Sequence, residues 1–123
     1  MGETQPRHRF GRSLRLRRSE DFRRVQRTGE RRRSRHLVMV WLPAEREQPR
    51  FGLTVSRKVG NAVIRNRVKR WLRESIRRRR HGLTGLDVVF IARSSARDAG
   101  FDRILAEVSS LFDALRPVPE GVA

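Results

Sequence analysis

Basic side chains and one asparagine recur along a single face of a helix predicted in the middle of the chain. The helix begins after Gly60-Asn61 and ends near residue 79. At a rotation of about 100° per residue, one side of it carries polar residues at the spacing i, i+3, i+4, i+7 and i+11. They are Asn66, Lys69, Arg70, Arg73 and Arg77, and they are flanked by Arg65 and Arg67. Because a row of guanidinium and ammonium groups binds phosphates, the stripe indicates a nucleic-acid surface.

The opposite side of the same helix is apolar and sets its orientation. It is formed by Ile64, Val68, Trp71, Leu72 and Ile76. Like charges three or four residues apart repel by roughly 0.2–0.5 kcal/mol per pair, and Glu74 is the one acid inside the helix that offsets them. A helix needed only for solubility would normally interleave more glutamate. On charge alone, a solvated face and a nucleic-acid face are both open interpretations.

Charge is distributed unevenly along the 123 residues. Residues 1–81 contain 26 basic and 7 acidic side chains, whereas residues 82–123 contain 4 and 6. The net charge of +17 destabilises a compact state through self-repulsion, which a polyanionic partner relieves. Because the excess is regional, we interpret it as a binding face and not as general tuning of solubility.

Composition excludes several classes of protein. No cysteine is present, which rules out disulfides, thiolate metal sites and thiol catalysis. No apolar run approaches the roughly 20 residues of a membrane span, and the polar N-terminus is unlike a signal peptide. We therefore expect a soluble cytoplasmic protein.

The length suits one compact domain. The predicted organisation is a flexible basic arm, a single RNA-binding domain and a tail, over residues 1–13, 14–116 and 117–123. A short first helix is predicted to begin with Ser19 as its cap and to end at Gly29. The arginine-rich residues 30–35 predict a basic loop.

Three apolar segments predict strands. Residues 36–42 and 50–56 have strand character, and we expect them to pair as an antiparallel hairpin. Residues 86–92 are almost wholly apolar, as expected of an interior strand covered on both faces. Residues 101–115 have apolar side chains at helical spacing and predict the last helix. The predicted order αββαβα describes an α+β sandwich in which helices pack on a small sheet.

The remaining residues that could carry chemistry give weak signals. Glu20 and Asp21 lie in the first turn of a helix, where acids interact favourably with the helix dipole, and adjacent side chains there point apart. His8, His36 and His81 lie in separate segments without ligand-like spacing. The sequence therefore predicts neither a catalytic residue nor a metal site in the protein itself.

Residues 51–76 closely resemble the signature of the bacterial ribonuclease P protein family. Its hallmark is an Arg-Asn-Arg sequence followed by Lys-Arg and one more arginine, directly after a strand of the GLTVSRK type. Here these residues are Arg65-Asn66-Arg67, Lys69-Arg70 and Arg73. Flanking segments match in the same order, so the resemblance covers roughly residues 12–115.

The resemblance implies a fold and an activity. In this family, a catalytic RNA and a small protein together remove the 5′ leader from precursor tRNA, and the RNA subunit performs the chemistry with bound Mg²⁺. The implied fold is an αββαβα sandwich with a small mixed sheet and a left-handed crossover between two parallel strands. The implied partners are the catalytic RNA and precursor tRNA, and neither DNA nor a membrane is expected.

The resemblance also implies two sets of RNA-binding residues. The catalytic RNA would contact Arg65, Asn66, Arg67, Lys69, Arg70, Arg73 and Arg77. The single-stranded leader would lie between the first helix and the sheet, against Phe22, Thr54, Ser56, Arg57 and Lys58. Two positions that are often aromatic in the family are Gln26 and Val40 here, so we expect arginine contacts to carry more of the leader binding.

Two alternatives belong to other functional classes. A non-enzymatic RNA-binding protein, such as a ribosomal protein or an RNA chaperone, fits the composition equally well. A DNA-architectural protein would normally present a long β-arm or a groove-binding helix, and neither is evident. Only the signature separates the ribonuclease P hypothesis from the first alternative.

Overall fold

The computed structural model describes residues 14–116, so the predicted arm over 1–13 and tail over 117–123 lie outside the described residues. The elements in chain order are α1 (Ser19–Thr28), β1 (Glu30–Arg33), β2 (Leu37–Pro43), β3 (Arg50–Thr54), α2 (Ala62–Arg79), β4 (Leu86–Ala92), a short 3-10 helix (Ser94–Asp98) and α3 (Phe101–Asp113). The predicted αββαβα order is confirmed, with β1 as an additional strand.

The strands of the described residues form one mixed sheet in the order β1-β2-β4-β3. β2 pairs antiparallel with β1 and with β4, whereas β3 pairs parallel with β4. α2 connects the two parallel strands, as the resemblance implied, and the left-handed sense of that connection stays a prediction. The predicted hairpin between β2 and β3 is wrong, because β4 lies between them. β4 takes this interior position because it is almost wholly apolar, and a strand at the centre of a sheet covered on both faces buries the most surface.

β1 corrects the prediction of a basic loop over residues 30–35. Its residues pair with β2 from Glu30 opposite Trp41 to Arg33 opposite Val38. All of its residues are exposed. An edge strand without a buried side lacks the apolar alternation by which strands are recognised in a sequence. Backbone pairing with β2 gives β1 its strand conformation.

The two sides of the sheet carry different helices. On one side, α2 and α3 cover the main core, where the ring of Phe112 lies 5.8 Å from that of Phe51 and 5.5 Å from that of Phe90. On the other side, α1 covers a smaller cluster that contains Leu16, Val25, Val40 and Val89. Successive residues of a strand face opposite sides, so β4 supplies Phe90 to one core and Val89 to the other.

The ends of α1 agree only in part with the prediction. The helix ends at Gly29, as predicted, and the Gly29 N–H donates to the Val25 carbonyl oxygen at 2.8 Å. A Cβ at Gly29 would lie 2.6 Å from that oxygen, so the close packing requires glycine. Ser19 is not the cap, because it is already the first helical residue and follows Arg18, which makes no side-chain capping bond.

A buried carboxylate, that of Asp87 in β4, connects three parts of the chain on the α1 side of the sheet. Asp87 is 2% exposed. Arg50 of β3 donates to both of its oxygens at 3.2 Å, Arg24 of α1 donates at 3.2 Å, and Arg46 from the β2–β3 connection donates as well. Burial acts to raise the pKa of Asp87, but the hydrogen bonds and charges of Arg50 and Arg46 outweigh it and hold this pKa below its ordinary value.

Asp87→Asn should lower the free energy of unfolding by about 2–4 kcal/mol at neutral pH, because three guanidinium groups lose the anion they share. The pKa of Asp87 is lower in the folded than in the unfolded state, whose ordinary value is 3.8. The contribution of Asp87 is therefore complete above that value and is lost as the pH falls further. Denaturant unfolding should show that the difference in the free energy of unfolding between the wild type and the variant becomes smaller in strong acid.

Asp113→Asn provides the matched control, since the side chain of Asp113 is 72% exposed and pairs only locally with Arg116 at 2.9 Å. We expect it to change the free energy of unfolding by less than about 0.5 kcal/mol. Equal losses in the two variants would show that the buried carboxylate stabilises the fold no more than a surface pair does.

Candidate nucleic-acid interface

α2 is held with one face against the main core and the opposite face in solvent. The buried residues of the predicted apolar stripe are Val68, Leu72 and Ile76, and those half-buried at its margins are Ile64 and Trp71. At the start of the helix, the Asn61 side-chain oxygen accepts a hydrogen bond from the backbone N–H of Ile64 at 3.0 Å. These contacts fix the rotation of α2 and turn the basic stripe outward.

The N-terminal two-thirds of α2 present basic side chains without carboxylate partners. Asn66, Arg67, Arg70 and Arg73 are exposed, and Arg65 and Lys69 are half-buried. Within residues 14–116, no carboxylate lies within ion-pair distance of the five cations in this set. Their charge is therefore available to phosphates.

Arg77 differs from the rest of the predicted stripe because it is paired with Glu74. The Arg77 Nε donates to Glu74 Oε1 at 3.1 Å, and the Arg78 Nε donates to Glu74 Oε2 at 2.8 Å. The hydrogen bonds from Arg77 and Arg78 outweigh burial and lower the pKa of Glu74 to about 2. The C-terminal part of the stripe is thus partly neutralised within the protein.

Lys69 and Arg73 also line a cleft that opens between α2, β3 and α1. The cleft has a volume of about 140 Å³, and its lining includes Phe22, Gly52 and Arg15. Burial, and then the nearby charge of Arg15, lower the pKa of Arg73. The structure therefore concentrates like charges in a partly desolvated space, where an anion is favoured.

Arg15 is a candidate site residue that the sequence interpretation missed. It lies opposite Phe51 in an isolated parallel bridge, and the N–H of Leu16 donates to the Phe51 carbonyl oxygen at 2.9 Å. The available signal was the apolar–basic alternation of Leu14-Arg15-Leu16, which is typical of a strand edge.

Phe22 lies half-buried with its ring directly over Gly52 of β3. A Cβ at Gly52 would lie 2.5 Å from the Phe22 Cζ, closer than two carbon atoms approach. Gly52 therefore allows the ring to rest on the backbone of the strand. Phe22 packs against the α1 cluster and also lines the cleft.

The other predicted leader residues lie along and just beyond β3. Thr54 is half-buried and lies two residues after Gly52, on the same face of the strand. Ser56, Arg57 and Lys58 follow the strand and are exposed. The structure thus places Phe22 and Thr54 on the α1 side of the sheet, and Ser56, Arg57 and Lys58 in the exposed segment that follows β3.

The two positions where the family often has aromatic residues have different environments. Gln26 is half-buried on α1, and its backbone oxygen accepts a hydrogen bond from Arg31 at 2.7 Å. Val40 is fully buried beneath α1, so it does not belong to the open face. Val38, two residues earlier in β2, is half-buried on that face.

The arrangement can bind a polyanion with flat apolar groups. Cations of α2 meet an aromatic ring and an open strand at one cleft, which suits contacts to phosphates and to unpaired bases. Among residues 14–116, no three His, Asp or Glu side chains are close enough together to hold a metal ion. No helix in the described part of the chain is long and apolar enough to cross a membrane.

A family model described as ribonuclease P matches residues 10–116. The chain belongs to the ribonuclease P protein family. The ribonuclease P protein component of Bacillus velezensis is 38% identical over 99 residues, which cover 80% of this chain and 85% of the relative. That of Chloroflexus aurantiacus is 41% identical over 112 residues, which cover 88% and 83% respectively.

Solved structures of ribonuclease P proteins have the same fold. The protein from Staphylococcus aureus aligns with a TM-score of 0.77 at 29% identity, over 84% of this chain and 95% of that one. The protein from Thermotoga maritima aligns with a TM-score of 0.69 at 30% identity, over 85% and 97%. The predicted α+β fold and the predicted ribonuclease P subunit are confirmed, and no comparison favours the ribosomal-protein or chaperone alternative.

Gly52→Ala should displace the Phe22 ring and lower the free energy of unfolding by about 1–3 kcal/mol, because the added methyl group overpacks the site. A double-mutant cycle measures the contact. In a Phe22→Ala background, where the ring is absent and the nearest remaining atom is the Leu16 Cβ at 3.3 Å, Gly52→Ala should cost less than about 0.5 kcal/mol. Additive losses would mean that the ring does not lie over Gly52 in solution.

Proposed function

We propose that this ribonuclease P protein binds two RNAs at adjoining surfaces and so assists endonucleolytic removal of the 5′ leader from precursor tRNA. The catalytic RNA contacts α2, and the single-stranded leader lies beside α1 on the sheet. The observation that carries the proposal is the cleft in which Lys69 and Arg73 of α2 lie beside Phe22 of α1.

The catalytic RNA is assigned to the basic face of α2. This surface consists of Arg65, Asn66, Arg67, Lys69, Arg70 and Arg73, with Arg77 at its paired end. Side chains without carboxylate partners displace counterions from phosphates at no loss of an internal ion pair. Asn66 adds a neutral donor and acceptor between two arginines, which suits a sugar or base contact.

The leader is assigned to the strand and loop that follow Gly52. Phe22 offers one ring for stacking, and Thr54 and Ser56 offer hydroxyl groups for phosphate and sugar oxygens. Arg57 and Lys58 supply charge at the exposed end. Contacts to phosphates and a single stacking ring do not depend on base identity, as is appropriate for a leader whose sequence varies between tRNAs.

We place the chemistry in the RNA subunit, with Mg²⁺ bound mainly by that RNA, and the complex in the cytoplasm. The contribution of this chain is then electrostatic and positional. Its cations reduce repulsion between the phosphates of the catalytic RNA and of the substrate, which divalent ions otherwise do. The protein should therefore matter most when Mg²⁺ is scarce.

In a reconstituted reaction, the protein should accelerate leader removal by its cognate catalytic RNA, most strongly at low Mg²⁺ and moderate salt. Arg70→Ala together with Arg73→Ala should weaken binding of the catalytic RNA and reduce the slope of log affinity against log salt by about 1.5, since two phosphate contacts are lost. Absence of any stimulation by the wild-type protein would refute the proposed function. An unchanged slope in the variant would show that α2 is only a solvated face.

Glu74→Gln should strengthen binding of the catalytic RNA and steepen its salt dependence, because it releases Arg77 and Arg78 from their ion pairs. We expect a gain of up to about ten-fold, on the scale of one added phosphate contact. Glu20→Gln makes the same change of charge on the exposed first turn of α1 and should leave the affinity within about two-fold. If the two variants behave alike, net charge and not the release of these arginines determines binding.

A further inference from the structure

The arginine-rich edge strand β1 belongs to neither surface assigned so far. Residues 30–35 contain four arginines and one glutamate. Arg31 donates to the backbone oxygen of Gln26 at 2.7 Å and so helps to hold α1. In the part of the chain that the structure describes, no carboxylate lies within ion-pair distance of Arg32 or Arg33. β1 therefore places two unpaired cations on the sheet edge opposite β3.

Strand register places Arg33 at the end of a row of side chains that crosses the whole sheet. Arg33 lies opposite Val38, Val38 opposite Ile91, and Ile91 opposite Thr54. Opposite residues share a face, and Val38 and Ile91 pack against the cluster beneath α1, so the row lies on the α1 side. It spans three strand spacings, about 14 Å. α1 leaves Val38, Ile91 and Thr54 only half-buried, so the row is accessible.

The chemistry of this row matches single-stranded RNA. Val38 and Ile91 form an apolar middle, Arg33 lies at one end and Thr54 at the other, and the exposed Arg57 follows Thr54 three residues later in the chain. The flat faces of bases can rest on the middle while phosphates meet cations at the two ends. We infer that Arg33 is a distal phosphate contact for the precursor-tRNA leader, which crosses the open sheet face from β3 to the β1 edge. This inference rests on the proposed function.

The exposed edge is poorly suited to pairing with a second copy of the chain. Such pairing would bring the arginines of one β1 against those of the other, and like charges directly opposite each other are destabilising. Charged edge strands often serve only to prevent this pairing. If that were the whole role of the charges, Arg32 and Arg33 would be equivalent. They differ in face, because Arg32 lies opposite Met39, which is buried in the main core on the other side of the sheet.

The test compares Arg33→Glu with Arg32→Glu in the reconstituted holoenzyme. Affinity is measured for precursor tRNAs whose leaders range from about 2 to about 16 nucleotides, which includes the site sizes typical of single-stranded binding.

For the wild type, affinity should rise with leader length. Arg33→Glu should bind long leaders roughly ten-fold more weakly and short leaders normally, because only long leaders reach β1. Arg32→Glu should match the wild type throughout. Arg33→Gln should show a smaller loss of the same kind and a salt slope reduced by about 0.7.

Several outcomes would overturn the inference. Equal losses in the two glutamate variants would assign the effect to net charge, and no loss at Arg33 would leave β1 a protected edge only. A loss at Arg33 that is equal for short and long leaders would place the contact elsewhere on the RNA. A change of oligomeric state in Arg33→Glu, measured by sedimentation, would assign the edge to a second copy. Failure of the proposed function would give a different result, because the affinity of the wild-type holoenzyme for precursor tRNA would then not depend on leader length.

Discussion

The proposed leader-binding face depends on the ion pairs that the buried carboxylate of Asp87 makes with three arginines. This carboxylate is shared by arginines from α1, β3 and the connection before β3, which repel one another without it. Holding Arg24 seats α1 on the sheet, and holding Arg50 fixes β3 two residues before Gly52. Phe22 reaches its position over Gly52 because both elements are fixed. The carboxylate of Asp87 thus helps to position α1 and β3, the two elements that carry Phe22 and Gly52.

The positions of the other acids determine where positive charge is left free. Glu107 of α3 is buried and accepts hydrogen bonds from Ser34, from the His36 N–H at 2.9 Å and from Arg103 at 2.9 Å, so it joins the turn before β2 to α3. Burial acts to raise the pKa of Glu107, but these hydrogen bonds outweigh it and hold the pKa low. Glu74 neutralises the end of α2. Glu107 and Glu74 each pair with nearby basic or polar residues, whereas no carboxylate of residues 14–116 pairs with a cation in the first two-thirds of α2.

The sequence was sufficient to predict the elements that have a clear apolar pattern of their own. The apolar stripe of α2, the start of that helix after Asn61 and the apolar run of β4 were each predicted correctly. β1 was missed because an exposed edge strand is specified by its partner and not by its own pattern. The β2–β3 hairpin was wrong because local alternation cannot show that a later strand will separate two earlier ones. The cluster around Asp87 could not be predicted for the same reason, because Arg24, Arg46 and Arg50 lie far from Asp87 in the sequence.

Lys69 and Arg73 are the residues at which the two proposed RNA-binding surfaces cannot be treated separately. Family resemblance assigns them to the catalytic RNA, but they line the same cleft as Phe22. Burial and the charge of Arg15 lower the pKa of Arg73, so its charged form is less stable in the cleft than in water. A phosphate near this group reverses that effect. If either RNA brings a phosphate there, it changes the electrostatic environment that the other RNA meets, and the coupling between their affinities is necessarily reciprocal. Substrate affinity can then depend on the catalytic RNA through these two side chains, even where the RNAs do not touch.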